Sequence, residues 1–193
     1  TGTVVAGGNG AGNALNQLNK PGSVYVDKDD NVFIADFENH RVVRWAPGAT
    51  SGVVVAGGNG AGSALNQLDG PVGVYIDDNG NIYVADFRNY RIQKWVKGAS
   101  QGTTVAGVSG SYGSDANQLN TIRDIAVNSI GEIFVMDNAY GQVKKFPANS
   151  TQGTPGIIVA KDKAGDGNGN NPTRGMCMDA AGNIYIANIA DHY

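Results

Sequence analysis

Residues 71–95 read PVGVYIDDNGNIYVADFRNYRIQKW, and this stretch decides the fold because the rest of the chain repeats it. An earlier copy, PGSVYVDKDDNVFIADFENHRVVRW, spans residues 21–45. Two looser copies follow, TIRDIAVNSIGEIFVMDNAYGQVKKF at residues 121–146 and TRGMCMDAAGNIYIANIADHY at residues 173–193. Equivalent residues of successive copies lie 50 or 51 positions apart. A fixed period of this length indicates a repeat architecture in which each unit folds in the same way.

Each copy contains three short runs rich in Val, Ile and aromatic residues and bounded by Gly, Asn or Asp, which is the pattern of β-strands. In residues 71–95 these runs are Gly73–Asp77, Asn81–Asp86 and Arg91–Trp95. The Asn-Gly pair between the first two favours a tight hairpin. A fourth run follows each of the first three copies after a polar turn: Val53–Ala56, Thr103–Ala106 and Gly156–Ala160. The same type of strand is predicted ahead of the first copy, at Thr3–Ala6.

Four short antiparallel strands in a repeat of about 40 to 50 residues are typical of a β-propeller blade. Residues 71–95 resemble the NHL repeat, whose core reads roughly P-x-G-V-x-V-D-x-x-G-N-I-Y-V-A-D-x-x-N-H-R-I-Q-K-F. The resemblance is close in the first two copies, fair in the fourth and weaker in the third. It implies an all-β fold, a β-propeller of NHL type with four-stranded antiparallel blades and about four blades present, as a partial or open propeller. The blades would cover about residues 21–56, 71–106, 121–160 and, incompletely, 173–193, with 3–6 as an orphan outer strand.

Propellers that resemble this chain usually close with six blades, and an arc of about four leaves strand edges open. Open edges invite pairing with another chain. Three interpretations stay open from the sequence. The chain is part of a longer propeller, it closes or extends by pairing with other copies of itself as a ring or a fibre, or it is a four-bladed propeller with a ragged last blade.

The composition is that of an ordinary folded domain. The chain has 193 residues, of which 41% are hydrophobic and 16% charged, and a net charge of −3. No apolar run reaches the ~18 residues that would span a bilayer, so no membrane association is predicted. The basic residues are spread over the third strands and their turns, near the expected rim, as Arg41, Arg44, Arg88, Arg91, Lys94, Lys144 and Lys145. Such a weak electrostatic footprint makes nucleic acid an unlikely partner.

An aspartate and an arginine recur five positions apart, across the turn between the second and third strands: Asp36 with Arg41, and Asp86 with Arg91. The third copy keeps Asp137 but has Gln142 at the arginine position. A catalytic site needs one constellation and not several equal ones. We therefore interpret the pairs as structural turn pairs, and no catalytic residue is predicted.

Three Asp-x-Asn/Asp-x-Asn patterns resemble the opening of a calcium loop, but none has the downstream glutamate of that motif. Those at Asp27 and Asp77 are better explained as hairpin turns, and only the longer loop at Asp166 stays a candidate. His40, His192 and Cys177 make a poor zinc set because they are only three and lie far apart in the expected ring of blades. The sequence therefore predicts no metal site and no cofactor.

Propeller topology places two kinds of connection on one face: those from a fourth strand to the next first strand, such as Gly7–Lys20 and Gly57–Gly70, and the turns from second to third strands. The candidate binding face accordingly comprises Phe37, His40, Phe87, Arg88 and Tyr90. The repeated phenylalanines have a second interpretation, as plugs between blades. Asn149, in the sequon Asn149-Ser150-Thr151, is a candidate glycosylation site.

These features favour a non-enzymatic module that is extracellular, with a binding or structural role. Its expected partner is a protein, other copies of itself or a glycan. The near-duplicate blades favour a scaffold over a tuned pocket. The alternative is a propeller enzyme of the lyase or lactonase kind, whose metal site would lie in blades outside this sequence.

Overall fold

The computed structural model describes residues 2–161, 173–179 and 181–188. Its strands fall into four sheets in chain order. Blade 1 comprises β1 (Pro21–Val26), β2 (Val32–Asp36), β3 (Arg41–Trp45) and β4 (Val53–Gly57). Blade 2 comprises β5 (Pro71–Ile76), β6 (Ile82–Asp86), β7 (Arg91–Trp95) and β8 (Thr103–Gly107). Blade 3 comprises β9 (Ile122–Val127), β10 (Ile133–Asp137), β11 (Gln142–Phe146) and β12 (Ile157–Lys161), and blade 4 comprises β13 (Thr173–Met178) and β14 (Ile184–Asn188).

Every sheet pairs its strands antiparallel and in chain order, so each strand lies beside the one before it. A single turn of 3-10 helix joins the second and third strands of blades 1, 2 and 3, at Phe37–Asn39, Phe87–Asn89 and Asn138–Tyr140. The predicted all-β architecture of antiparallel propeller blades is confirmed. No helix among the described residues is long and apolar enough to cross a membrane.

The strand predicted at Thr3–Ala6 is not formed, and this part of the prediction is wrong. A strand needs a neighbour to receive its backbone hydrogen bonds, and no described strand lies beside these residues. Val4 and Val5 are instead 76% and 64% exposed.

The second strand is the most buried one in blades 2 and 3, and in blade 1 the second and third strands are buried to the same extent. All five residues of β6 and of β10 are buried, because neighbouring strands flank them in the sheet and neighbouring blades cover both faces. Phe33 and Val42 of blade 1 pack with Val74 and Val84 of blade 2 in one apolar cluster. A second cluster joins blades 2 and 3 in the same way. The core therefore lies between blades, and each blade completes the core of the next.

The first strands run side by side along the inner edge, with β1 against β5, β5 against β9 and β9 against β13. Side chains link them directly. Ser23 Oγ accepts a hydrogen bond from the backbone N–H of Val74 at 3.0 Å, and Asp124 Oδ2 accepts one from Met176 at 2.9 Å. Burial raises the pKa of Asp124 above its ordinary value. These bonds fix the stagger between neighbouring blades.

Candidate functional site

Asp36 ends β2 and is completely buried. Its Oδ2 accepts hydrogen bonds from Arg41 Nε at 2.8 Å and from Asn39 Nδ2 at 2.7 Å, and its Oδ1 accepts one from the backbone N–H of Asn19 at 2.7 Å. A buried carboxylate is tolerated only with such partners. Asn19 belongs to the connection before blade 1, so the aspartate joins that connection to the blade.

Blade 2 repeats the arrangement. Asp86 Oδ2 accepts from Arg91 Nε at 2.7 Å and from Asn89 Nδ2 at 2.9 Å, and Oδ1 accepts from the backbone of Asp69 at 2.7 Å. Burial raises the pKa of Asp86, and the hydrogen bonds and the guanidinium oppose that rise. The two Asp–Arg pairs are therefore parts of the same internal structure in both blades.

The remaining nitrogens of each arginine hold the preceding connection. Arg91 Nη1 donates to the carbonyl of Ser63 at 2.7 Å, and Nη2 donates to Ala64 at 3.2 Å and Gln67 at 3.1 Å. Arg41 makes the equivalent bonds in blade 1, to the carbonyls of Asn13, Ala14 and Gln17. Each connection, although rich in glycine, is thereby attached to the rigid blade that follows it.

Blade 3 has lost both side-chain partners of its aspartate, because Tyr140 and Gln142 replace the asparagine and the arginine. Asp137 is nevertheless completely buried. Its Oδ2 accepts from the backbone of Asn120 at 3.2 Å, and its Oδ1 has no hydrogen-bond partner in the part of the chain that the structure describes.

A lysine two residues further along the strand takes over part of the arginine's role. Lys144 Nζ donates to the carbonyls of Asp115 at 2.8 Å and Gln118 at 2.6 Å, which are the equivalents of Ala64 and Gln67 in blade 2. Lys144 is only 1% exposed, so its charge acts inside the blade and adds nothing to the surface. Residues two apart on a strand share a face, and for this reason Lys144 reaches the space that an arginine at position 142 would fill.

The changed partners alter the acid–base properties of blade 3. Burial raises the pKa of Asp137 to about 6, although the charge of Lys144 and backbone hydrogen bonds oppose the rise. Burial also lowers the pKa of Lys144, and the charges of Asp137 and Asp115 oppose this. Asp137 is thus a buried acid that titrates near neutral pH.

We expect this acid to make the stability of the protein depend on pH. The folded-state pKa lies above that of the unfolded chain, so the folded state holds the proton more tightly. The stability that protonation adds is complete below pH ~4 and is lost as the pH rises through about 6. The free energy of unfolding is measured in urea for the wild type and for Asp137→Asn. The wild-type value minus the variant value should fall by about 2 to 3 kcal/mol between pH ~4 and pH ~7.5. Parallel curves for the two proteins would contradict the assignment.

The aspartate carboxylates of the Asp-x-Asn patterns at the hairpins accept hydrogen bonds from backbone N–H groups. Asp77 Oδ1 accepts from the N–H groups of Asn79 at 3.0 Å and Asn81 at 2.9 Å. Asp27 caps its hairpin in the same way. These carboxylates order their turns and are directed at donors rather than at a cation site. The loop at Asp166 and the side chain of His192 lie outside the described residues.

The candidate binding residues come together on what we call the loop face, formed by residues 7–20, 37–40, 57–70, 87–90 and 107–120. The ring centroids of Phe37 and Phe87 lie 6.4 Å apart across blades 1 and 2. The guanidinium of Arg88 lies 4.8 Å from the centroid of Phe37 and pairs with Asp69 at 3.1 Å. Phe37 also covers Gly70, where a Cβ atom would approach its ring to 2.8 Å. The ring therefore closes the junction between the blades and also contributes to the face.

His40 and Tyr90 occupy the two other positions. His40 Nδ1 accepts from the backbone N–H of Gly70 at 3.2 Å and lies 3.4 Å from Asp69. Tyr90 packs on Tyr112, with 5.1 Å between ring centroids, and Tyr112 is 62% exposed. Tyr112 was missed in the sequence because the third connection diverges from the other two. Asn149 lies exposed on the turn after β11, and its glycosylation stays a prediction.

Two of these residues adopt an unusual backbone conformation. His40 and Tyr90 lie in the left-handed region, at φ of 52° and 56°, where blade 3 has Gly141. A side chain larger than glycine costs about 1 kcal/mol there. Blades 1 and 2 bear this cost and keep large side chains at the loop face.

Comparisons with known proteins agree with this geometry. The NHL repeat profile matches residues 18–45 and 68–95, which cover most of blades 1 and 2. A search of curated proteins finds no similar sequence. Similar solved structures include a gluconolactonase, XC5397 from Xanthomonas campestris, at 14% identity and a TM-score of 0.65, covering 93% of this chain and 58% of that one. A chain of the nidogen/laminin complex matches at 17% identity and a TM-score of 0.60, covering 83% and 53%. Virginiamycin B lyase from Staphylococcus aureus matches at 13% identity and a TM-score of 0.55, covering 87% and 48%.

The chain spans about half the length of these structures, and at such identities the likeness shows the fold alone. It also corrects one expectation. The prediction that the chain is not an enzyme is wrong as a conclusion from the fold, because a lyase and a gluconolactonase have the same arrangement of blades. Regular blades fix the framework of a propeller, whereas a catalytic site needs only a few residues on it. An enzymatic role is therefore open. Two segments of the chain match the NHL repeat, residues 18–45 and 68–95, and the described residues form blades like those of a β-propeller.

Proposed function

We propose that the chain is a protein-binding module whose loop face receives the partner. The main support for this function is the group of four aromatic residues and one arginine at this face: Phe37, Phe87, Arg88, Tyr90 and Tyr112. Aromatic residues and arginine are enriched in protein interfaces and supply most residues whose loss weakens binding strongly. Arg88 is exposed and Tyr112 is 62% exposed, so both are open to a partner.

The rigidity of the face supports the same function. The connections 7–20 and 57–70 are held by Arg41 and Arg91 through carbonyl contacts, so they need little further ordering when a partner arrives. Ordering of loops and side chains is one of the main costs of association. A preformed surface avoids much of this ordering cost. The strained left-handed backbone at His40 and Tyr90 points the same way, because strained residues cluster at functional sites.

The comparisons lend support of a general kind. One similar structure is a chain of a protein complex, that of nidogen with laminin. Propeller blades at comparable spacing thus occur in a protein that binds another protein. The extracellular location expected from the sequence stays a prediction.

The proposal predicts that peptides selected for binding will use the loop face. A displayed library of random peptides is selected on the wild-type chain, and the affinity of the recovered peptides is measured by calorimetry. The double variant Arg88→Ala/Tyr112→Ala should bind them at least about tenfold more weakly, since hot-spot side chains contribute about 1 to 2 kcal/mol or more each. Val96→Ala, an exposed residue in a turn on the opposite side of blade 2, is the matched control and should bind normally. Peptides that bind the double variant as tightly as the wild type would contradict the proposal.

A second candidate is an enzyme of the lyase or lactonase kind. The observation that favours it is the similarity to two enzymes of these classes. Turnover of a lactone by the purified protein, with and without added divalent cation, distinguishes it from a module that only binds. Turnover that survives Arg88→Ala/Tyr112→Ala would place the activity away from the loop face.

A further inference from the structure

A cleft of about 650 Å³ lies between blades 1 and 2 on the side opposite the loop face. Its walls are the hairpin turns of the two blades, residues 27–31 and 77–80, and the turn at 97–99. Tyr25, Phe33 and Val54 give it an apolar side. Small-molecule sites of proteins have volumes of about 300 to 1,000 Å³ and combine apolar walls with a few polar groups.

Arg44 is the least exposed of the three cations that line this cleft. Its Nε is buried and has no hydrogen-bond partner, and among the described residues its guanidinium forms no ion pair. The nearby carboxylates of Asp27 and Asp77 accept hydrogen bonds from their own turns. An unpaired buried donor of this kind costs about 1 to 3 kcal/mol, and that cost is removed by any acceptor that reaches it.

In blade 3 a glutamate is the acceptor for the cation at the position equivalent to Arg44. Lys145 is the equivalent of Arg44, and its Nζ lies 2.7 Å from Glu132 Oε1. Glu132 is itself held by Asn128, whose Nδ2 donates to Oε2 at 2.8 Å. Blade 1 has the exchanged pair, Asp27 and Asn31, so the carboxylate stands at the first position of the turn and the second position is neutral. The cation of blade 1 therefore feels the charge of Asp27 but, among the described residues, makes no ion pair like that of Lys145 with Glu132.

In blade 2 the residue equivalent to Arg44 is Lys94, and its charge has a different partner. Lys94 Nζ lies 5.0 Å from the ring centroid of Tyr83, and Lys94 is not part of the cleft wall. Lys28 and Lys97 line the cleft but are exposed. Together with Arg44 they make three cations against four carboxylates of the lining, Asp27, Asp29, Asp77 and Asp78. The summed charge of the lining thus does not select the ligand. The selecting group is Arg44, a half-buried residue whose buried Nε–H has no hydrogen-bond partner among the described residues. Arginine binds a carboxylate in two parallel hydrogen bonds, which fixes both orientation and charge.

We propose that the cleft between the hairpins of blades 1 and 2 binds a small molecule that carries a carboxylate on an apolar or aromatic body. The carboxylate pairs with Arg44 and takes the place that Glu132 occupies in blade 3. The body of the ligand lies against Tyr25 and Phe33. This site is independent of the loop face, so its test does not depend on the protein partner.

Benzoate is the probe, and benzamide, which has the same shape without the charge, is its matched control. Nitrogen-15 NMR follows the Nε–H signal of Arg44 during each titration. We expect benzoate to shift this signal saturably and benzamide to bind at least about tenfold more weakly. Arg44→Met should abolish benzoate binding, as judged from the backbone signals of the hairpins, and Lys94→Met in blade 2 should leave it unchanged.

The exchange Asp27→Asn/Asn31→Glu gives the sharpest test, because it transplants the blade 3 pair into blade 1 without changing the net charge. The new glutamate should pair with Arg44 and compete with benzoate, reducing its affinity at least about tenfold. Circular dichroism checks that the variant is folded, and Arg44→Met remains as the second test if it is not. Absence of saturable binding to the wild type, equal binding of benzamide, or undiminished binding to Arg44→Met would overturn the proposal.

Discussion

Arg91→Met is expected to destabilise the protein by about 3 to 5 kcal/mol, as removal of one partner from a buried ion pair does. The substitution leaves Asp86 buried without its cation and leaves the carbonyls of Ser63, Ala64 and Gln67 without the guanidinium that they bind. Methionine fills a similar volume, so loss of packing is a minor part of the effect. The free energy of unfolding from urea denaturation measures the result.

Two controls separate the buried charge from the side chain itself. Arg88→Met removes an exposed arginine of the same blade and should change stability by no more than about 0.5 to 1 kcal/mol. Asp86→Asn in the Arg91→Met background removes the stranded charge and should recover part of the loss. A single Arg91→Met variant as stable as Arg88→Met would show that the pair does not hold the blade together.

Lys144→Met should cost about 3 kcal/mol or more, for a related reason. Lys144 donates to two carbonyls of the third connection, and its charge favours the ionised form of Asp137, a buried aspartate without an arginine. Its loss removes that favourable charge above pH ~6, where Asp137 is ionised in the wild type. The destabilisation should therefore be smaller at pH ~5, where Asp137 is protonated in the folded state.

Blade 2 supplies the design that should rescue this variant. Gln142→Arg/Lys144→Gln copies Arg91 and Gln93 of blade 2 into blade 3. We expect the double variant to be within about 1 kcal/mol of the wild type or more stable, since the arginine reaches both the aspartate and the carbonyls. It should also reduce the pH dependence near pH 6. A double variant as unstable as Lys144→Met would mean that the two solutions are not interchangeable.

The strands could be predicted from the sequence because repetition and local pattern agree. The third strand of blade 2 has the predicted bounds, Arg91 and Trp95, and the third strands of blades 1 and 3 have the equivalent bounds. The bounds of the other strands differ from the predicted ones by one or two residues. The turns were predictable for the same reason, since Asp77 and Asn81 serve a local hydrogen-bond pattern. Thr3–Ala6 has the local pattern of a strand but no neighbour, and pairing decides whether a strand forms.

The candidate sites depended on contacts that local pattern does not record. Lys144 could have been found, because it stands two residues after a missing arginine and thus on the same face of the strand. Tyr112 lies in a connection that has diverged from its copies, so no repeat position marked it. The isolation of Arg44 follows from an exchange of Asp27 and Asn31 relative to Asn128 and Glu132, and only the packing of two neighbouring blades reveals the cleft around it.

Each buried arginine binds the connection that precedes its own blade, and this arrangement affects how the number of repeats can change. Arg91, Asp86 and Asn89 hold residues 62–69, which precede their own blade, through charge-assisted and amide hydrogen bonds. Their contacts with the connection that follows are fewer: Arg91 Nη1 lies 3.5 Å from Ser109 Oγ, and the carbonyl of Asn89 accepts from the N–H of Gly110 at 3.1 Å. A recombination event with crossover points near residues 57 and 107 would therefore insert or delete one whole unit without parting a buried aspartate from its arginine. Apolar surfaces of similar shape meet at the new junction. Copy number can thus change by gene duplication without stranding a buried charge, whereas a crossover between the connection and its blade would strand one.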